Sequence, residues 1–322
     1  MALLQVENLS VGYHTQKGYL HAVEDVSFTL DEGESFGFVG ESGCGKTTLG
    51  MALMRLLPPN GLIRGGRILF DGVDLLQKSD EEMRKIRWQK IAMIFQAAMN
   101  ALNPVHRVNE QIAEAMLTHH ASLDKKEAFE QVEALFQLVG IPENRMRDYP
   151  HQYSGGMKQR AVIAMALACK PRLIIADEPT TALDVIVQDQ ILKEIMKLQK
   201  EFGISMIFIS HDISIVADVC HDIGIMYAGK LVEQGSREEV FSYPVHPYTK
   251  ALLASYPTLT GEKKRLAPIP GETPNLIHPP PGCRFRDRCP SAKAECKIGG
   301  AVWIENSPRH KTLCYQCGSD CK

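Results

Sequence analysis

Ser35-Phe36-Gly37-Phe38-Val39-Gly40-Glu41-Ser42-Gly43-Cys44-Gly45-Lys46-Thr47 is the stretch whose reading decides the fold. Its first five residues form a short buried-strand run. Gly40 through Thr47 then fit the pattern G-x-x-x-x-G-K-[ST]. A helix is predicted from Lys46 through Leu56, and Pro58-Pro59 stops it. Gly40, Gly43 and Gly45 let the backbone N–H groups around Ser42 and Cys44 turn inward and cradle phosphate oxygens. The helix N-terminus adds its partial positive charge. Lys46 is expected to reach the β- and γ-phosphates of ATP, the Thr47 hydroxyl to ligate Mg²⁺, and Thr48 to join the same nucleotide set. A plain glycine-rich turn is the competing reading, and the flanking strand and helix count against it.

Further along, Leu173-Ile174-Ile175-Ala176 is an apolar run that ends in Asp177-Glu178. Asp177 is suited to hold Mg²⁺, usually through water, and Glu178 to orient and polarise an attacking water. Three more continuous apolar runs start at Ile91, Met206 and Ile223. Separated by helical patterns, they predict an α/β fold with a largely parallel sheet covered on both faces. Gln96 and His211 each stand just after such a run, where ligands gather in open α/β sheets. Position alone supports roles for them at the metal, the lytic water or the γ-phosphate only weakly.

Composition narrows the class. The 322 residues carry 36 Lys+Arg against 38 Asp+Glu, a net charge of −2, which argues against a dedicated nucleic-acid binder. The longest unbroken apolar run, Ala161 to Cys169, is too short to span a bilayer. The first ten residues lack a basic region and place Glu7 where a signal peptide needs apolar side chains. The chain is therefore expected to be neither secreted nor integral to a membrane. Between about Asn100 and Gln152 lies a mostly helical insert, in which Val132, Leu135, Phe136 and Val139 fall at helical spacing before Gly140 and Pro142. Proline becomes frequent after about Phe241, and six of the nine cysteines crowd into the last 40 residues. That extension is expected to be bound by loops and metal more than by a large core. Without an export signal, the cysteine cluster reads as metal ligation before disulfides.

Tyr153-Ser154-Gly155-Gly156-Met157-Lys158-Gln159-Arg160 resembles the ABC signature motif. Ala182-Leu183-Asp184 resembles the D-loop, Gln96 the Q-loop glutamine, and His211 the switch histidine. Tyr13 is placed like the aromatic residue that stacks on adenine, with Tyr19 a weaker candidate. The resemblance covers about residues 1–240. It implies a P-loop NTPase of the ABC ATPase type, with a RecA-like core, an antiparallel β subdomain and a helical signature subdomain over about 100–160. It further implies Glu178, His211 and Gln96 as catalytic residues, Mg²⁺ at Thr47, Gln96 and Asp177, and a γ-phosphate gripped in trans by Ser154, Gly155 and Gly156, with Asp184 beside them. Tyr153 and Met157 replace the usual Leu and Gln, but the gripping residues are intact.

The Phe95-Gln96 to Asn103-Pro104 region, His246 to Leu253, and Pro280 to Pro290 are similar to the ATPase subunits of dipeptide, oligopeptide and nickel uptake systems, with the length and tail of the D-type subunit. The resemblance implies ATP hydrolysis that energises peptide import. A nickel or other small-solute importer, and a soluble non-transport ABC protein, are the alternatives. It implies as partners a second homologous ATPase chain (a hetero-pair before a homodimer), two transmembrane permease subunits and, indirectly, an extracytoplasmic peptide-binding protein, with no nucleic acid. The expected place is peripheral, at the cytoplasmic face of the cell membrane.

In the extension of residues 241–322, Cys283, Cys289, Cys296 and Cys314 are not spaced like the C-x2-C pairs of common zinc folds. In the subunits it resembles, four such cysteines bind a [4Fe–4S] cluster, which makes a small metal-stapled extension the expectation; zinc is the alternative. Cys317 and Cys321 compete as ligands. Cys44 reads as a small filler of the phosphate loop, or more sharply as a reactive thiol at a helix N-terminus.

Overall fold

The computed structural model describes residues 2–96, 101–181, 183–255, 268–299 and 301–315. In chain order its strands are β1 (Ala2–Thr15), β2 (Gly18–Asp31), β3 (Ser35–Val39), β4 (Gly61–Phe70), β5 (Val73–Asp74) and β6 (Ile91–Ile94). They continue as β7 (Leu173–Asp177), β8 (Ser205–Ser210), β9 (Asp222–Tyr227), β10 (Lys230–Ser236), β11 (Trp303–Glu305) and β12 (Lys311–Leu313). The helices are α1 (Lys46–Leu53), α2 (Asp80–Ile86), α3 (Val108–His119), α4 (Lys125–Leu138), α5 (Gly155–Leu167), α6 (Val185–Phe202), α7 (Ile213–Val219), α8 (Arg237–Ser242) and α9 (Pro247–Ala254). These elements form two compact units: residues 31–34 and 77–208 make one, residues 2–30, 35–76 and 209–322 the other.

In the first unit, β6, β7 and most of β8 lie side by side, with β6 and β7 parallel and Ile91 opposite Leu173. Every residue of β7 and β8 is buried, as continuous apolar runs require when both faces are covered. The helical insert supplies α3 and α4. Asp124 and Glu127 cap α4 reciprocally, the Glu127 N–H donating to Asp124 Oδ1 at 2.9 Å. Val132, Phe136 and Val139 bury the helix face that their spacing predicts. Gly140, at φ 68°, ends the helix, and the Ile141 N–H donates to the Phe136 carbonyl at 2.8 Å.

The second unit holds a four-stranded sheet of order β2-β1-β4-β5, with β4 antiparallel to both β1 and β5. Beside it, strands follow the order β11-β12-β10-β9-β3. There β3 and β9 are parallel, while β10, β12 and β11 run antiparallel to their neighbours, so the expected parallel sheet carries an antiparallel edge. Phe28, Phe36 and Phe38 pack ring to ring, their centroids 4.8–5.1 Å apart.

The extension carries strand pairing and packing beyond the loops and metal that its composition suggested. β12 joins the sheet on β10, Glu233 opposite Thr312. Phe285, 1% exposed, packs edge-on to Tyr227 and Tyr248 at 5.2 and 5.3 Å. Glu233 is fully buried and accepts from the backbone N–H groups of Val245 and His246 and pairs with His310 at 2.7 Å. Strand pairing, aromatic packing and a buried polar network therefore hold the extension. The proline-rich composition hid these contacts because each needs a partner from residues before 241.

Candidate functional site

The phosphate loop joins β3 to α1 through two glycines needed for different reasons. Gly45 caps α1 at φ 105°, and a Cβ there would lie 2.2 Å from the Ala22 carbonyl oxygen. Gly43, at φ 78°, has open space around it and is constrained by its backbone alone. Lys46 is only 6% exposed, and its ammonium donates to the Gly40 and Glu41 carbonyls at 2.7 and 3.1 Å. The side chain thus lies back over the loop, while Ser42 is exposed and Thr47 and Thr48 are half-buried. Burial pushes the Cys44 thiol up despite the neighbouring Lys46 ammonium. The buried thiol is therefore the small filler and not an activated nucleophile.

Tyr13, on β1, donates its hydroxyl to Thr48 Oγ1 at 3.0 Å, which fixes an aromatic ring beside the first turn of α1. Tyr19 instead lies under the Arg64 guanidinium at 5.0 Å and against two histidine rings. His211 is the first residue after β8 and is exposed.

In the first unit, β7 delivers Asp177 and Glu178. Asp177 is 1% exposed. Glu178 sits at φ 48°, a left-handed conformation that a non-glycine residue adopts at a cost of about 1–3 kcal/mol and that recurs at functional sites. Gln96 Nε2 and Thr181 Oγ1 both donate to Glu178 Oε2 at 2.9 Å. Two donors on one oxygen fix the carboxylate's direction. The structure thus joins Gln96 to Glu178, two residues that strand-end position alone only suggested. Thr181 was not legible in the sequence, since a threonine three residues after a carboxylate carries no distinct signal.

Ser154 caps α5 by accepting from the Met157 N–H at 3.3 Å, so Gly155 and Gly156 open the helix. Tyr153, where the family's usual residue is Leu, is buried and donates its hydroxyl to the Arg145 carbonyl at 3.0 Å. Burial pushes that phenol up to about 12. Asp184 caps α6 through the Val187 N–H at 3.0 Å. Ala182 of the D-loop lies outside the described residues.

The family profile described as ABC transporter matches residues 23–181, and that of the oligopeptide/dipeptide transporter C-terminal region matches residues 232–296. The dipeptide transport ATP-binding protein DppD of Bacillus subtilis is 50% identical over 97% of this chain and 94% of its own. The chain belongs to the ABC transporter family. The oligopeptide transport ATP-binding protein OppD of Escherichia coli is 47% identical over 98% of this chain and 93% of its own. Among solved structures, an ATP-binding cassette dimer in a post-hydrolysis state, bound to ADP and Pi, superposes with a TM-score of 0.66 at 26% identity, covering 73% of this chain and 98% of its own. The cbiO1 protein of Clostridium perfringens, part of an ABC transporter complex, superposes at 0.65 with 30% identity, covering 75% and 91%. The P-loop fold of an ABC ATPase follows from both.

Among the described residues, no three His, Cys, Asp or Glu side chains are arranged to hold a metal ion, and no helix is long and apolar enough to cross a membrane. Cys283, Cys289, Cys296 and Cys314 form no disulfide among the described residues. Burial pushes Cys283 up to about 11, and the other three cysteines add to the shift through space. Cys317 and Cys321 lie outside the described residues.

Proposed function

We propose that this ABC ATPase hydrolyses ATP to energise the import of dipeptides or oligopeptides through a membrane transporter. The carrying observation is the oriented Glu178 carboxylate in a chain whose residues 232–296 match the oligopeptide/dipeptide transporter region. Lys46 would leave the Gly40 and Glu41 carbonyls for the β- and γ-phosphates, while Tyr13 stacks on adenine. Glu178, held by Gln96 and Thr181, orients the attacking water and takes its proton. Thr47 and Asp177 have the hard oxygen donors that Mg²⁺ prefers, and the bound ion would neutralise phosphate charge. His211 contacts the γ-phosphate. Ser154, Gly155, Gly156 and Asp184 serve the nucleotide of a partner chain, because a helix N-terminus capped by Ser154 offers its N–H groups outward.

The partners we infer are a second, homologous ATPase chain and two membrane permease subunits, with this chain peripheral on the cytoplasmic face. Cys283, Cys289, Cys296 and Cys314 form the donor set for a [4Fe–4S] cluster. The other three cysteines act on Cys283 through space, and four thiolates are the ligand set such a cluster takes. When bound, the cluster would supply a metal–thiolate staple to the extension. Iron, acid-labile sulfide and zinc analysis of anaerobically purified protein separates the cluster from a zinc staple.

The cargo is tested by uptake into vesicles bearing the reconstituted transporter and its binding protein. ATP-dependent accumulation of a labelled dipeptide, abolished by Lys46→Ala, is the expected result. Accumulation of Ni²⁺ with no dipeptide uptake would move the chain to the metal importers.

A further inference from the structure

Glu41 is the second residue of the phosphate loop, and the C-terminal extension holds it twice. The Arg288 guanidinium grips its carboxylate in a two-pronged ion pair, Nη1 to Oε2 at 2.6 Å and Nη2 to Oε1 at 2.9 Å. The Tyr248 hydroxyl accepts from the Glu41 backbone N–H at 3.0 Å. The Arg288 side chain is 6% exposed. Its Nε donates to the Pro270 carbonyl at 2.8 Å, Nη2 also donates to Ile269 at 3.2 Å, and Nη1 also reaches the Tyr227 hydroxyl at 3.3 Å. All five N–H donors of a guanidinium are thereby placed. The Tyr227 ring lies 5.7 Å from the guanidinium carbon.

An ordinary surface ion pair contributes little. This one differs by its burial, its paired geometry and its target. Glu41 also offers its carbonyl to the Lys46 ammonium at 3.1 Å, so the held residue touches the loop's phosphate-binding cation directly. A run of contacts leads from Arg288, between Cys283 and Cys289, through Glu41 to Lys46.

We propose that Arg288 is a positioning residue for nucleotide binding: by fixing Glu41 it presets the phosphate loop, and the cysteine-rich extension thereby tunes ATP affinity. The inference rests on the nucleotide-site reading above. Presetting the loop removes part of the ordering cost that ATP binding otherwise meets. Loss of Arg288 leaves the Glu41 carboxylate unpaired beside the loop, with Tyr248 alone holding the residue from the extension. The effect belongs to binding. Glu178 and its donors lie outside this run of contacts, so turnover at saturating ATP is preserved.

The test measures KM for ATP, kcat and melting temperature on the full chain assembled with its partner subunits. Arg288→Ala is expected to raise KM about tenfold with kcat within about twofold, a difference of about 1.4 kcal/mol in binding. Arg288→Lys, which keeps the charge and loses the fork, should fall between. Glu41→Ala combined with Arg288→Ala should weaken ATP no further than the worse single change. The charge exchange Glu41→Arg with Arg288→Glu should recover part of the lost affinity. If Arg288→Ala does not assemble, Arg288→Lys and Glu41→Gln decide by the same split. An unchanged KM in folded Arg288 variants would overturn the proposal, as would an equal rise in Arg286→Ala, which removes a guanidinium of the same stretch that bonds Asp287 and Pro281 and not Glu41. A wild-type chain that binds no ATP would instead defeat the nucleotide-site reading itself.

Discussion

Phe285→Ala probes how the extension is held. Phe285 lies within the cysteine-rich stretch, is 1% exposed, and sits against Tyr227, Tyr248 and, at 6.0 Å, His246. Truncating a phenylalanine this deeply buried removes its apolar area and leaves a cavity, together about 4 kcal/mol. The two edge-on ring contacts place the site toward the upper end of that range, since each aromatic pair contributes about 0.5–1.5 kcal/mol beyond area. For a cooperative unit of the second unit's size the loss corresponds to about 10 °C in melting temperature. Phe285→Leu keeps most of the volume and should lose only about 1–2 kcal/mol. Urea unfolding, followed by tyrosine and tryptophan fluorescence, measures the first quantity and scanning calorimetry the second. The slope in urea should be unchanged, because the folded contacts elsewhere remain. A Phe285→Ala midpoint within about 1 °C of the wild type would refute the reasoning. The extension would then be held by its other contacts, and packing against Tyr227 and Tyr248 would be incidental.

Two other outcomes follow from the same packing. Burial pushes the His246 imidazole down to about 4, Glu233 opposing, and its Nδ1 accepts from the Tyr248 N–H at 3.0 Å as the cap of α9. The unfolded chain therefore binds a proton that the folded chain does not between pH 6.5 and about 4. This contribution is present above pH 6.5 and is lost as pH falls toward 4, amounting to about 3 kcal/mol in all. His246→Asn keeps a capping acceptor and should flatten the acid limb of stability, read by urea midpoints across that range; an unaltered limb would place the pH dependence elsewhere. In the phosphate loop, Gly43→Ala meets open space and should cost about 1–2 kcal/mol for its left-handed backbone, whereas Gly45→Ala also drives a Cβ to 2.2 Å from the Ala22 carbonyl and should cost more and weaken ATP binding. Equal stability of the two variants would contradict the steric assignment.

Much of the fold was legible where a residue pattern has one structural meaning. The runs at Ser35, Ile91, Leu173, Met206 and Ile223 became buried strands because continuous apolar residues fit only a sheet covered on both faces. Gly40 to Thr47 was legible because phosphate binding demands glycine and lysine at fixed positions. β1 and β4 were not legible from periodicity. Their alternation breaks where Asn8 takes φ 48° and the register slips between Glu7 and Ser10, and β4 buries only Ile68 and Phe70. The strands of the extension were hidden for another reason. β12 has three residues, and its strand character comes from pairing with β10. At the site, Lys46, Asp177 and Glu178 were readable as residues, while the grip of Gln96 and Thr181 on one oxygen of Glu178 is a product of the fold. The hold of Arg288 on Glu41 spans 247 positions and has no local signature.

The central claim is that one set of residues binds ATP and another cleaves it. Equilibrium ATP binding and phosphate release, measured side by side on the wild type, Lys46→Ala and Glu178→Gln with partner subunits present, tests it most directly. The account predicts that Lys46→Ala loses binding, while Glu178→Gln binds ATP as the wild type does and releases phosphate about 10²–10⁴-fold more slowly. Turnover of Glu178→Gln near the wild-type rate, or undiminished ATP binding by Lys46→Ala, would contradict it.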